Sequence, residues 1–162
     1  MNLRRAIGRL GDLLTLSGSA WIGARIEAEG KTLFDLAESY RGRGRIDGRA
    51  ILSARENGDG ALRLGAIRRL RDWLAKNFGG DGAAAHGSFG LKPGRLDLEV
   101  LKLEGRRAHG GGNAVLDFAA GTLAAGFAAY ERGNGKPYLD IDMAGRLSDP
   151  DVRLGGRWIS GE

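Results

Sequence analysis

The chain has no cysteine. That excludes disulfides, thiolate nucleophiles and cysteine metal sites, and it leaves the redox compartment unreadable. Two histidines, His86 and His109, stand far apart with no partner at metal-ligand spacing, so neither a metal centre nor a general base is expected. Serines are present, but none sits in a Gly-x-Ser-x-Gly elbow. No run approaches the roughly 20 apolar residues that span a bilayer. The first residues are basic but lack the continuous apolar core of a signal peptide. Taken as it stands, the chain reads as soluble and unexported; a longer parent chain would remove that inference. Aromatic residues make up only 7% and prolines number 3.

Glycine is what the chain has in excess: 29 of 162 residues. With no three-residue period they exclude collagen. As punctuation between short segments they predict a β-rich fold with frequent turns and bends. Hydrophobic residues at 42% and charged residues at 28% are the balance of an ordinary globular domain. The formal net charge of +5 belongs to the first half. Residues 1–80 carry 15 Lys and Arg against 9 Asp and Glu, and residues 81–162 carry 10 against 11. Most of the basic residues are Arg, which reads as genome base composition first and phosphate recognition second.

Periodicity divides the chain into elements. Leu3, Ile7, Leu10, Leu13 and Leu14 fall at helical spacing, giving a basic helix or linker over residues 1–15, ahead of a domain spanning 16–162. Ser17 to Glu29 alternates with period two and predicts a strand with one buried face. Thr32 sits at an N-cap position before a short helix that carries Leu33, Leu36, Ala37 and Tyr40 on one side and ends at Gly42 and Gly44. Arg43 to Arg55 reads as extended, closed by a turn at Asn57–Gly60. Residues 64–78 form the best helix, with Ile67, Leu70, Leu74 and Phe78 inward and Arg68, Arg69, Arg71, Asp72 and Lys76 outward, stopped by Gly79 and Gly80.

From Ala83 onward the pattern predicts only strands. One slips by a residue at Val100–Leu101, as a bulge requires. Leu123, Ala125, Phe127 and Ala129 share a face, and Leu139, Ile141 and Met143 oppose Asp140 and Asp142. The expected fold is α+β, mainly β: an antiparallel twisted meander sheet with one apolar face and two or three short amphipathic helices.

The chemistry-bearing groups each have a bland reading. Arg41, Arg43, Arg45 and Arg49 form a candidate anionic-surface stripe, for phosphate or lipid headgroups. No aromatic residue interleaves to stack bases, so nucleic acid is not expected, and a solvated strand face explains the arginines as well. Asp140 and Asp142 point the same way on a strand and could serve acid/base work or hold a divalent cation; the alternation around them explains them as its wet side. Gly110 to Gly112, beside His109 in a glycine-rich turn, lack the lysine and the helix of a phosphate loop. No catalytic residue, metal or cofactor is called for. The continuous apolar sheet face remains. It is either a core covered by the helices or a groove for acyl chains. Its lipid-facing candidates are Leu123, Phe127, Leu139, Ile141 and Met143.

Four blocks in order resemble the C-terminal region of the AsmA family of bacterial envelope proteins. Leu16-Ser-Gly-Ser-Ala through Gly30 is similar to the family's "L-x-G-x-A" strand ending in Gly. Thr32 to Gly44, with Ser39-Tyr-Arg-Gly-Arg-Gly44, is similar to its helix followed by "S-L-x-G-x-G". Phe89 to Gly105 resembles an "F-x-x-x-x-G" strand pair, followed by Gly112-Asn-Ala-Val-Leu-Asp-Phe-Ala-Ala-Gly-Thr-Leu123 for "G-x-x-D-x-x-x-G-T-L". Tyr138 to Leu154, containing Gly145-Arg-Leu-Ser-Asp-Pro150, is similar to the closing "G-x-L-S-D-P". The resemblance spans about residues 16–157.

Two features depart from the family's pattern: the longer Arg-rich helix at 64–78 and the missing N-terminal membrane anchor. With that anchor missing, the chain is expected to be a C-terminal fragment or a gene with a truncated start. The resemblance implies a groove-like β architecture in a non-enzymatic, inner-membrane-anchored periplasmic protein of outer-membrane biogenesis and phospholipid transport. Phospholipid and membrane are then the expected partners, with a protein partner undetermined. The alternative is a structural or adaptor domain whose basic N-terminal half docks an anionic membrane or a protein.

Overall fold

A computed structural model of the chain describes residues 14–54 and 64–161. The helix read over residues 3–14 lies outside them except for Leu14, and so does the turn at 57–60. The fold is the expected one: a single antiparallel sheet whose eight strands follow chain order from β1 to β8. The strands are β1 (Leu14–Glu27), β2 (Arg41–Ala54), β3 (Ala83–Lys92), β4 (Arg95–Glu104), β5 (Ala108–Asp117), β6 (Thr122–Glu131), β7 (Leu139–Arg146) and β8 (Asp149–Gly155). Among the described residues three helices accompany them: α1 (Leu33–Ser39) between β1 and β2, α2 (Leu64–Phe78) between β2 and β3, and α3 (Arg157–Ser160) after β8.

Register sorts side chains onto two faces, because successive residues of a strand point to opposite sides. Leu16 faces Leu52, Ala50 faces Ala83, Ala85 faces Leu103, Leu103 faces Gly110, Gly110 faces Ala129, Ala129 faces Leu139, and Ile141 faces Leu154. Every position on this side across the eight strands is apolar or glycine except Glu131, which ends β6 opposite Ala108 at the α2 end. The opposite side carries Arg41, Arg43, Arg45, Arg49, Asp140 and Asp142. A bulge keeps β4 in phase: Val100 pairs with Ser88 and Leu98 with Phe89, so Glu99 is the extra residue.

Helix α2 lies over one end of the apolar face. Ile67, Leu70, Leu74 and Phe78 are 0–1% exposed, as the i, i+3, i+4 spacing predicts. They meet Leu14, Ala50, Leu52, Ala83, Leu103, Ala108, Ala129 and Leu139 in the core. Trp73 and Asn77 are buried with them; the Asn77 side-chain amide donates to Trp73 O at 2.9 Å. The main chain of Arg106, in the β4–β5 turn, donates to Asn77 O at 2.9 Å and anchors the end of the helix.

Three expectations of local structure change, besides the buried face read for Ser17 to Glu29, which β1 leaves exposed along most of its length. Gly42 and Gly44 do not end α1, whose C-cap is Tyr40; both glycines lie inside β2. His109 to Gly112 is strand rather than turn. The chain also closes with α3, where only strands were expected, and its Trp158 is 0% exposed.

The first two corrections share a cause. Many of the glycines are gaps in the sheet rather than turns. The Phe89 ring lies where a Cβ on Gly44 would project, and the Phe127 ring does the same over Gly110, an aromatic filling a glycine notch on the neighbouring strand; at Gly112 the Gly126 carbonyl oxygen takes the space. Gly18 combines φ of +148° with the close approach of Arg49 O, which leaves no room for a side chain.

Candidate functional site

The apolar face is divided by its cover. At the α2 end it is core. At the other end, towards the β3–β4, β5–β6 and β7–β8 turns, no described helix packs over it. There Ile22 is 63% and Ile26 59% exposed, while Ile46, Phe89, Leu91, Leu96, Leu98, Leu101, Leu116 and Leu123 are half-buried. The meander explains this division. α2 is 15 residues long, about 22 Å, and it sits at the end of β2 from which it emerges, so it cannot also cover the far half of a sheet whose β1 and β2 are 14 residues long.

The five lipid-facing candidates fall on both sides of this boundary. Leu139 is 0% and Ile141 7% exposed; both belong to the core and offer a ligand no surface. Phe127 and Met143 are half-buried and pack against that core. Leu123 lies at the open end. The alternation of residues identifies the face, but the position of α2 decides which part is accessible. The open-end residues Ile26, Leu91, Leu96, Leu98 and Leu116 escaped the sequence reading for that reason.

Helix α1 caps the open end of the β1–β2 pair and is held by hydrogen bonds rather than burial. Thr32 Oγ1 accepts from Asp35 N at 3.1 Å, and the Asp35 carboxylate accepts from Thr32 N at 3.1 Å and Lys31 N at 3.2 Å, a reciprocal capping box. These bonds, first the one with the Thr32 side chain, hold the Asp35 carboxyl below its ordinary range. The Ser39 hydroxyl donates to Glu29 O at 2.6 Å and accepts from Glu29 N at 2.9 Å. Leu33 and Phe34 are 87% and 70% exposed, so the side predicted for Leu33 is not a buried one.

On the polar face Arg41, Arg43, Arg45 and Arg49 are all exposed. Carboxylates interleave with them. Glu27 stands opposite Arg41 and is paired at 2.8 Å with Arg25. Asp47 stands between Arg45 and Arg49 in β2 and contacts His86 Nδ1 at 2.8 Å. Arg49 donates to Asp81 O at 3.2 Å. The result is a mixed, solvated surface.

Asp142 lines a shallow depression of ≈ 590 Å³ with Asp97, Glu99 and Asn113. His109 stacks on Tyr130 with centroids 5.5 Å apart. Among the described residues no group of three or more His, Asp or Glu side chains converges as metal ligands, and no described helix is long and apolar enough to cross a membrane.

Most of the polar bonding among buried side chains serves the fold. Glu131 accepts from Trp73 Nε1 at 3.0 Å and from Arg157 at 2.7 Å. Arg157 lies over the Tyr138 ring at 5.4 Å. Trp158 Nε1 donates to Gly155 O at 2.8 Å, and the Arg69 guanidinium donates to Trp158 O at 3.2–3.3 Å. These bonds tie α2, the end of β6 and α3 together, so Arg69 has a structural role beyond the solvated one that its spacing suggests. Compared with known proteins, the chain matches no family model, no curated protein and no solved structure.

Proposed function

We propose that the chain is a non-enzymatic envelope module whose uncovered half of the apolar sheet face receives phospholipid acyl chains. In this reading it works as the AsmA-like region that its sequence resembles, at the periplasmic side of the inner membrane in the service of outer-membrane biogenesis. The observation that carries the reading is the extent of the apolar face: its one polar side chain, Glu131, lies at the α2 end, none interrupts the open half, and the described helices cover only one end. A fold that needed the face only as core would gain nothing from continuing it beyond α2, since exposed apolar area costs solubility.

Energetics fit transfer better than storage. Burying a methylene contributes about 0.8 kcal/mol, so ten methylenes laid along the open half contribute about 8 kcal/mol. That lies within the roughly 4–15 kcal/mol lost in immobilising a ligand. The net affinity is modest, and a lipid so bound exchanges readily. Native mass spectrometry of the purified chain tests the reading: phospholipid-sized adducts that diminish in a Leu98→Asp, Leu116→Asp variant support it, and a chain free of lipid after extraction from membranes opposes it.

A second reading rests on the exposed row Arg41, Arg43, Arg45 and Arg49, as an adaptor surface for anionic membrane. The interleaved Glu27 and Asp47 weaken its field. Liposome pelleting that fails with rising salt and with Ala at those arginines would favour it.

A further inference from the structure

We propose that β1 is an interface strand that pairs antiparallel with β1 of a second copy of this chain, joining two eight-stranded sheets edge to edge. The inference stands apart from the lipid reading.

An open sheet has two edges, and here they differ. β8 is 7 residues long and carries Asp149, Pro150, Asp151 and Arg153, the short, charged, proline-bearing form that resists pairing. β1 is 14 residues long, has no proline, and pairs among the described residues only with β2. Alternate residues of such a strand direct N–H and C=O groups away from their neighbour, ready for another strand. Leu16, Trp21 and Ile22 on it are 62%, 67% and 63% exposed. The charges on β1, Arg25 and Glu27, lie near one end and satisfy each other at 2.8 Å.

The faces choose the partner's direction. A twofold axis perpendicular to the sheet makes the two β1 strands antiparallel and keeps both apolar faces on one side. An axis along the strands makes them parallel and sets one copy's apolar face beside the other's charged face. The sequence of β1 suits the antiparallel arrangement centred on Trp21. Leu16 then faces Ile26, Ala20 faces Ile22 and Gly18 faces Ala24, so large side chains meet small ones or each other on the apolar side. On the polar side Trp21 faces its twin, Ser17 faces Arg25 and Thr15 faces Glu27, with no like charges opposed. A contact of this kind uses the same strand on both copies and closes at two, whereas β1 on β8 would propagate into filaments.

The full-length chain supplies the test. Sedimentation and light scattering should give a dimer. An Ala20→Lys, Ile22→Lys double variant sets two lysine pairs face to face at exposed positions and should raise the dimer dissociation constant at least about tenfold, with an unchanged circular dichroism spectrum. Because the chain has no cysteine, Trp21→Cys should yield an oxidised covalent dimer through opposed residues at disulfide distance, and Arg153→Cys on β8 should not. A monomer at the highest soluble concentration, a dimer indifferent to the double lysine variant, or crosslinking that favours Arg153→Cys would overturn the proposal.

Discussion

The Trp73 indole stacks on the Tyr138 ring with centroids 4.3 Å apart and planes inclined by 15°, while its Nε1 donates to the Glu131 carboxylate at 3.0 Å. One side chain of α2 therefore holds both the end of β6 and the start of β7. Trp73→Ala removes the stack, the hydrogen bond and a side chain only 7% exposed. It should cost about 3–5 kcal/mol in urea unfolding, against no more than about 0.5 kcal/mol for Tyr138→Phe, which keeps the ring.

Glu131 gives the fold a pH dependence. Its carboxyl is held below its ordinary range, first by the Arg157 hydrogen bond and then by that of Trp73, with burial opposing. A carboxyl whose folded pKa is depressed stabilises the fold above its unfolded pKa, and that contribution is lost as pH falls through the folded value. Urea midpoints taken in steps through the carboxylate range should fall with acidification, and Glu131→Gln should flatten part of that fall. An unchanged acid limb in the variant would remove Glu131 from the account.

The covered and open halves of the apolar face should respond differently to truncation. Leu139→Ala, in the covered half at 0% exposure, should cost about 2–5 kcal/mol. Ile26→Ala, 59% exposed, should change the unfolding free energy by no more than about 0.5 kcal/mol.

Gly18 should tolerate no side chain. Its φ of +148° and the nearby Arg49 O make Gly18→Ala cost about 1–3 kcal/mol in strain alone, with added loss of β1–β2 pairing. Gly133→Ala, at φ +84° with open space around it, should show only the strain. Thermal unfolding of the two variants separates the contributions.

Much of this architecture could be read before the fold was known, for physical reasons that also mark where reading stops. Period-two alternation names the face of each strand, so the meander, the bulge near Glu99 and the grouping of Leu123 with Phe127 follow from the residues. The α2 stripe is legible because 15 residues repeat it four turns long. α3 is a single turn, too short for any period, and Trp158 gave no sign of being core. Glycine sends the same signal whether it makes a turn or leaves a notch; only the register that places Phe127 across from Gly112 tells them apart. Leu139 and Leu123 look alike along the chain, and the distance each lies from α2 separates a core residue from an accessible one.

Site-specific photo-crosslinking tests the central claim, that the uncovered half of the apolar face receives acyl chains. A photoreactive residue replaces Leu96, Leu116 or Leu123 at the open half, or Ser19 or Arg153 on the polar face, in chain produced in a bacterial envelope. The account predicts crosslinked phospholipid at the three open-half positions and none at the two polar-face positions. Equal labelling of both faces, or none at Leu96, Leu116 and Leu123, would contradict it.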